Sequence, residues 1–179
     1  MPRFIAYLRA INVGGHIVKM DRLKTLFEAL ALSNVATFIA SGNVIFDSTA
    51  KAADALERKI EKHLHAELGY EVATFLRTPT ENASAAAHEP FAAGDFGKDS
   101  RLYVAFMKAA PTAAQHKAVQ AFSTAQDAFV VHGRELYWLC HVPSHLSTFS
   151  AAKLEKTLGA PVTMRNSNTV RKLADKYPA

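Results

Sequence analysis

Read for hydrophobic periodicity, the sequence runs through the same succession of segments twice. The run at 4–8 is apolar and rich in Phe, Ile and Tyr, the composition of a buried strand. A glycine-bearing loop at 12–19 follows. Leu23, Leu26, Phe27 and Leu30 then fall at i, i+3, i+4 and i+7, which predicts a helix over 20–31 with Asp21, Lys24 and Glu28 in water. Two β-rich runs at 35–39 and 44–47 flank Ser41, Gly42 and Asn43, turn residues that make them a hairpin. Leu56, Ile60, Leu64 and Leu68 repeat every fourth residue among charges, giving a surface helix that stops at Gly69. A strand at 72–77 completes the order β, α, β, β, α, β.

After an alanine-rich stretch and a loop at 89–100 holding Pro90, Gly94 and Gly97, the order starts again. The second set is a strand at 102–107, a helix opened by Pro111 and running to 122, a hairpin of 129–132 and 135–139 around Gly133, a helix at 150–158 closed by Gly159, and a strand at 162–165. An added helix carries Val170, Leu173, Ala174 and Tyr177 on one face. A second βαββαβ succession roughly 90 residues after the first is the mark of an internal repeat. The expected fold is therefore α+β, two tandem ferredoxin-like halves with an extra C-terminal helix. The expected division is 1–78, a helix or linker at 79–100, and 101–179. Limited proteolysis should cut first within 89–100.

Composition narrows the class. With 179 residues, 49% of them hydrophobic and 21% charged, the chain is not intrinsically disordered. A chain of this length buries roughly 70% of the surface its unfolded state exposes, so it needs no disulfide or metal staple. A lone cysteine, Cys140, fits a reducing compartment. The first apolar run is broken by Arg9 and Asn12, unlike a signal peptide, and no run approaches the ~20 apolar residues of a membrane helix. The expected location is the cytoplasm, with no membrane partner. Charge is uneven: residues 1–100 hold 11 Lys and Arg against 12 Asp and Glu, and residues 101–179 hold 10 against 4. Affinity for nucleic acid would belong to the second half.

The usual strand order of this fold, 4-1-3-2, makes the first and second strands run the same way. The loop after the first strand and the turn after the second then emerge together. One brings Arg9, Asn12, Gly14, Gly15, His16 and Lys19, and the other Ser41, Gly42 and Asn43. Freed backbone N–H groups, amides, a hydroxyl and two cations thus gather near the start of the helix at 20, where unpaired N–H groups and the macrodipole favour anions. The expected ligand is a small phosphate-bearing molecule. Arg9 and Lys19 would supply charge, Asn12, Ser41 and Asn43 hydrogen bonds, and Gly14, Gly15 and Gly42 close backbone approach. The segment is neither a dinucleotide fingerprint nor a P-loop. A second polar set, Arg165, Asn166 and Asn168, precedes the last helix and also has the composition of a helix cap.

The phrases IAYLRAINVGGHIVKMDRLKTLFEAL, VATFIASGNVIFDS and TMRNSNTVRKLADKY resemble, as a set, the family called domain of unknown function 1697, over nearly the whole chain. The resemblance implies a duplicated ferredoxin-like α+β fold and no known activity. Ala10 stands where the family usually has glycine, and Ser167 where it usually has tryptophan.

Other chemistry finds little footing. His63 and His65 are two apart on a helix and face different ways, and Cys140, His141 and His145 lack a fourth ligand, so no metal site and no cofactor is expected. Ser41 lies in a hairpin, not a nucleophile elbow, and no carboxylate pair converges, so no reaction is assigned. Two other functions compete with ligand binding. One is weak, salt-sensitive nucleic-acid binding through Lys153, Lys156, Arg165, Arg171, Lys172 and Lys176. The other is a protein interaction module. Most strand aromatics are expected in the core. The sequence specifies no oligomeric state.

Overall fold

The computed structural model describes residues 1–179. Its elements are β1 (Arg3–Leu8), α1 (Met20–Glu28), β2 (Ser33–Thr37), β3 (Asn43–Asp47), α2 (Ala53–Leu68), β4 (Thr74–Arg77) and α3 (Pro79–Ala87), then β5 (Arg101–Met107), α4 (Ala113–Gln120), β6 (Asp127–His132), β7 (Glu135–Cys140), α5 (Ala151–Leu158), β8 (Val162–Asn166) and α6 (Ser167–Lys176). They build two four-stranded antiparallel sheets, ordered β2-β3-β1-β4 and β6-β7-β5-β8. This is the ferredoxin-like order, made twice. Two compact units result, one of Met1–Ala83 with Leu173–Ala179 and one of Ser84–Lys172.

In the first unit, Phe4, Ala6 and Leu8 of β1 alternate onto the core, packing with Leu23 and Phe27 of α1 and Leu56, Ile60 and Leu64 of α2. The intervening Ile5 and Tyr7 are equally buried, as are Ile45, Phe75 and Arg77 on the same face. Burial on both faces explains why β1 reads as a continuous apolar run instead of an alternating one. Tyr7 donates its hydroxyl hydrogen to Oδ1 of Asn82 on α3.

The second unit repeats this plan. Ala105, Met107, Trp138 and Cys140 join Leu154 and Val119 in its helix-side core, while Val104, Phe106 and Tyr137 are buried on the other face. Neighbouring Tyr137 and Trp138 thus occupy opposite faces, and most of the strand aromatics are buried. Small details recur as well. Glu61 of α2 accepts a hydrogen bond from Thr74 N at 2.8 Å, and Glu155 of α5 accepts one from Val162 N at 3.0 Å. Each carboxylate takes up the N–H of a buried residue on a sheet-edge strand, blunting an edge that would otherwise invite pairing. Arg77 sits opposite Ile5 and Arg165 opposite Val104, and each donates from Nη1 to the carbonyl of the preceding residue at 2.9 Å. Since α3 follows β4 as directly as α6 follows β8, the helix read as an addition to the second half has a counterpart in the first.

Several ends differ from the periodic reading, each for a local reason. The helix expected to reach 31 closes at Glu28, because Leu30 and Ala31 turn back onto Phe27 and Glu28 and Ala31 takes φ +59°. Strand β2 begins at Ser33 and stops at Thr37; its register shifts between Ser33 and Ala36, Asn34 has φ +51°, and Ile39 has φ +51°. Helix α4 starts after Thr112, not at Pro111, because Thr112 and Gln115 exchange bonds in a capping box, Gln115 N to Oγ1 at 3.2 Å and Thr112 N to Oε1 at 2.9 Å.

Candidate functional site

Strands β1 and β2 both run antiparallel to β3, which lies between them, so their C-terminal ends reach the same edge of the sheet. The two following loops meet there as the topology requires. Leu8 N donates to Gly42 O at 2.8 Å, and Asn12 Nδ2 donates to Ala40 O at 3.0 Å. Asn12 Oδ1 accepts from Val18 N at 2.6 Å, folding its own loop back on itself. The Asn12 amide is therefore engaged at both ends. Gly42 has φ +79°, and a Cβ there would stand 2.7 Å from Ile11 Cγ2 and 3.2 Å from Leu8 Cβ. Only glycine lets the two loops approach this closely. Asn43, fully buried, donates from Nδ2 to Phe38 O at 2.8 Å and to Ser41 Oγ at 2.9 Å. Asn12, Gly42 and Asn43 accordingly form the frame that joins the loops.

Of the remaining members of the expected set, Gly14, Gly15, Lys19 and Ser41 are exposed. Gly14 and Gly15 have φ +68° and +85°, with open space where a Cβ would project. Lys19 is exposed and occupies the N-cap of α1, but its side chain caps nothing. The first N–H groups of a helix have no intrahelical acceptor, so this end of α1 offers donors to a ligand. Ser41 is exposed on the facing turn, and Arg9 is half-buried where β1 ends, its backbone N–H bonded to Ala73 O at 2.9 Å.

His16 was legible as part of this end of the molecule, and its partner Tyr70 was not. His16 stacks on Tyr70 with centroids 3.8 Å apart, and Tyr70 donates its hydroxyl hydrogen to Ile11 O at 3.1 Å. Burial pushes the Tyr70 phenol above its ordinary range, with Arg22 pulling weakly the other way. Tyr70 thereby props the glycine loop from the far end of α2. On the two loops, Val13, Ile17 and Ile39 are exposed. A pattern search for ligand chemistry passes over such aliphatics, and the His16–Tyr70 contact spans too many residues to be read from spacing.

The second polar set has a different character. Arg165 is buried and donates from Nη1 to Thr163 Oγ1 at 2.8 Å, and Asn166 Oδ1 accepts from Asn168 N at 2.9 Å as a cap at the start of α6. The recurrence at Arg77 marks Arg165 as part of the repeated scaffold. Cys140 is buried, donates to Val142 O at 3.0 Å, and burial raises its thiol pKa, which disfavours a nucleophilic thiolate. Ser100 Oγ lies 3.1 Å from His141 Nδ1 and also accepts from Gly97 N at 2.8 Å, tying down the loop before β5. Of the basic residues, Lys153 donates to Thr148 O and Lys176 lies 5.5 Å from the Phe38 ring centroid, while Lys156, Arg171 and Lys172 are exposed.

The family model described as protein of unknown function (DUF1697) matches residues 1–137, a span that contains both converging loops. The C-terminal phrase TMRNSNTVRKLADKY lies beyond that match. Among solved structures, the conserved bacterial protein SP0830 from Streptococcus pneumoniae is similar over 100% of this chain and 99% of its own, with a TM-score of 0.74 and 21% identity, a likeness of fold. No protein of curated function matches the chain. The family match, covering most of the sequence and carrying the glycine loop and the SGN turn, places the chain in the family of proteins of unknown function DUF1697.

Proposed function

We propose that the protein binds a phosphate-bearing ligand at the loop end of its first half, through Arg9, Lys19, Ser41 and the backbone of Gly14 and Gly15. Asn12, Gly42 and Asn43 hold those groups in place from behind. The observation that carries this reading is a difference between the two repeats. At the β5–α4 connection, Thr112 caps the start of α4; at the equivalent β1–α1 connection, no side chain caps α1, and two glycines and Lys19 stand there instead. Uneven capping also occurs at the second pair of helices, where Ser150 caps α5 and no side chain caps α2, so it is the glycines and Lys19 at the start of α1 that distinguish this end. Helix N–H donors beside cations favour a multiply charged oxyanion over a neutral ligand.

The reading is of binding, and no reaction is assigned to it. Its test is a thermal-shift series with orthophosphate, glycerol phosphate and mononucleotides. A ligand that binds only the folded state raises the midpoint by mass action, about 2.7 kcal/mol of added stability at a hundredfold excess over Kd. Lys19→Ala should reduce that shift while leaving the unliganded midpoint nearly unchanged, and Arg9→Ala should reduce it as well. A wild-type protein that none of these compounds stabilises contradicts the reading.

A further inference from the structure

The chain exposes six large apolar side chains, Met1, Val13, Ile17, Ile39, Phe96 and Leu146, and three of them surround the site just described. Val13 follows Asn12, Ile17 precedes Val18 and Ile39 precedes Ala40, and it is the Asn12 amide that bonds both Val18 and Ala40. Exposure reaches 63% at Val13, 85% at Ile17 and 51% at Ile39. A side chain 85% exposed stands clear of its neighbours and lines no groove.

Ile39 adds an independent sign. Its φ of +51° is a left-handed conformation that a β-branched residue adopts only against steric resistance, and its exposure returns little burial in exchange. Folding alone does not account for isoleucine at this position. Taken together, the two loop segments that carry the patch are themselves basic, with Asp21 in the first turn of α1 the nearest acid in sequence to Lys19. Neither residues 1–20 nor residues 29–46 contain an Asp or Glu, whereas Arg9 and Lys19 lie within the first stretch.

We propose that the phosphate taken at this site belongs to an anionic phospholipid surface: Arg9 and Lys19 meet headgroup phosphates while Val13, Ile17 and Ile39 enter the bilayer interface. The inference rests on the phosphate reading above and specifies the source of the phosphate. Separate aliphatic side chains standing clear of the protein require a partner that closes around each one, as a fluid interface does. Protein partners are more often gripped by Trp, Tyr and Arg anchors, and valine is under-represented among such anchors. Basic residues beside an exposed apolar surface are the combination that holds proteins to anionic membranes. The expectation of no membrane partner came from the lack of a spanning segment, and no helix here is long and apolar enough to cross a membrane. A loop tip resting on the surface requires no such segment.

Sedimentation with vesicles of phosphatidylcholine, alone or doped with phosphatidylglycerol, tests the inference, with soluble glycerol phosphate in a parallel thermal-shift arm. Binding is expected only to the doped vesicles, falling about fivefold for each of Arg9→Ala and Lys19→Ala and about tenfold for Ile17→Ser. Ile39→Gly should raise the thermal midpoint and yet weaken vesicle binding, a pairing that a merely structural isoleucine would not produce. If glycerol phosphate stabilises the protein but no vesicle binds it, the phosphate reading stands and the surface inference is overturned, leaving the aliphatic patch to a protein partner. If neither binds, both readings fall. Vesicle binding that is unchanged in Ile17→Ser and Ile39→Gly, or unchanged in Lys19→Ala, also overturns the inference.

Discussion

Ala10 holds φ +53° in the turn that leaves β1, a region where a Cβ crowds the following carbonyl. It is also the position at which the family pattern usually has glycine. Ala10→Gly should therefore stabilise the protein by about 0.5–1 kcal/mol, the relief of strain exceeding the added entropy of the unfolded chain. Urea unfolding measures this as a higher midpoint at constant slope, and a lower midpoint would contradict it. Asn12→Ala should act in the opposite direction. It leaves Val18 N and Ala40 O without the amide that joins them, a loss of about 1–3 kcal/mol where those groups are shielded from water and less where water replaces the amide. Asn12→Asp should lie between, because it keeps an acceptor for Val18 N and loses the donor to Ala40 O. The same unfolding experiment orders the three variants. The amide of Asn12 could be read from the sequence as ligand chemistry. Its partner at Ala40 lies 28 residues away, and only the meeting of two loops reveals that the amide is already engaged.

Elements were legible where a period of two or 3.6 residues marked one face, and least legible where both faces are buried or neither is apolar. Helix α3, with Ala83 and Ala85–Ala87 among polar residues, has no strong apolar face, so alanine content alone identified the stretch. The two-residue displacement of β2 arises from backbone conformations at Asn34 and Ile39 that periodicity does not encode. Next to this irregular strand, Asp47 at the end of β3 fastens the chain start: Arg3 Nε donates to Oδ1 at 2.9 Å and Asn34 Nδ2 to Oδ2 at 2.7 Å. The Arg3 hydrogen bond, then that from Asn34, holds the Asp47 carboxyl below its ordinary 3.8, against an opposing push from burial. A carboxyl with a lowered folded-state pKa contributes stability that is full above its unfolded value and is lost as pH falls through the folded value. Acid unfolding should accordingly gain a component below pH 3.8 that shrinks in Arg3→Ala. Equal acid sensitivity in the two proteins would show that the pair contributes nothing at this partly exposed position.

Across the whole molecule, duplication gives a common scaffold against which differences stand out. Edge-covering glutamates, buried arginines and a helix after the last strand occur in both repeats, and the open helix start with its glycines and lysine occurs at the first βα connection only. The repeat and the convergence of its loops could be derived from the sequence, because strand order follows from topology and topology from periodicity. The separation of loop-holding residues from ligand-facing ones could not, since it depends on which hydrogen bonds are already made. An amide-resolved NMR titration of the full chain with glycerol phosphate tests the central claim most directly. The account predicts saturable shifts concentrated at Gly14, Gly15 and the first residues of α1, with Gly133 in the second repeat unmoved. Shifts confined to α5 and α6, or no saturable shift anywhere, would contradict it.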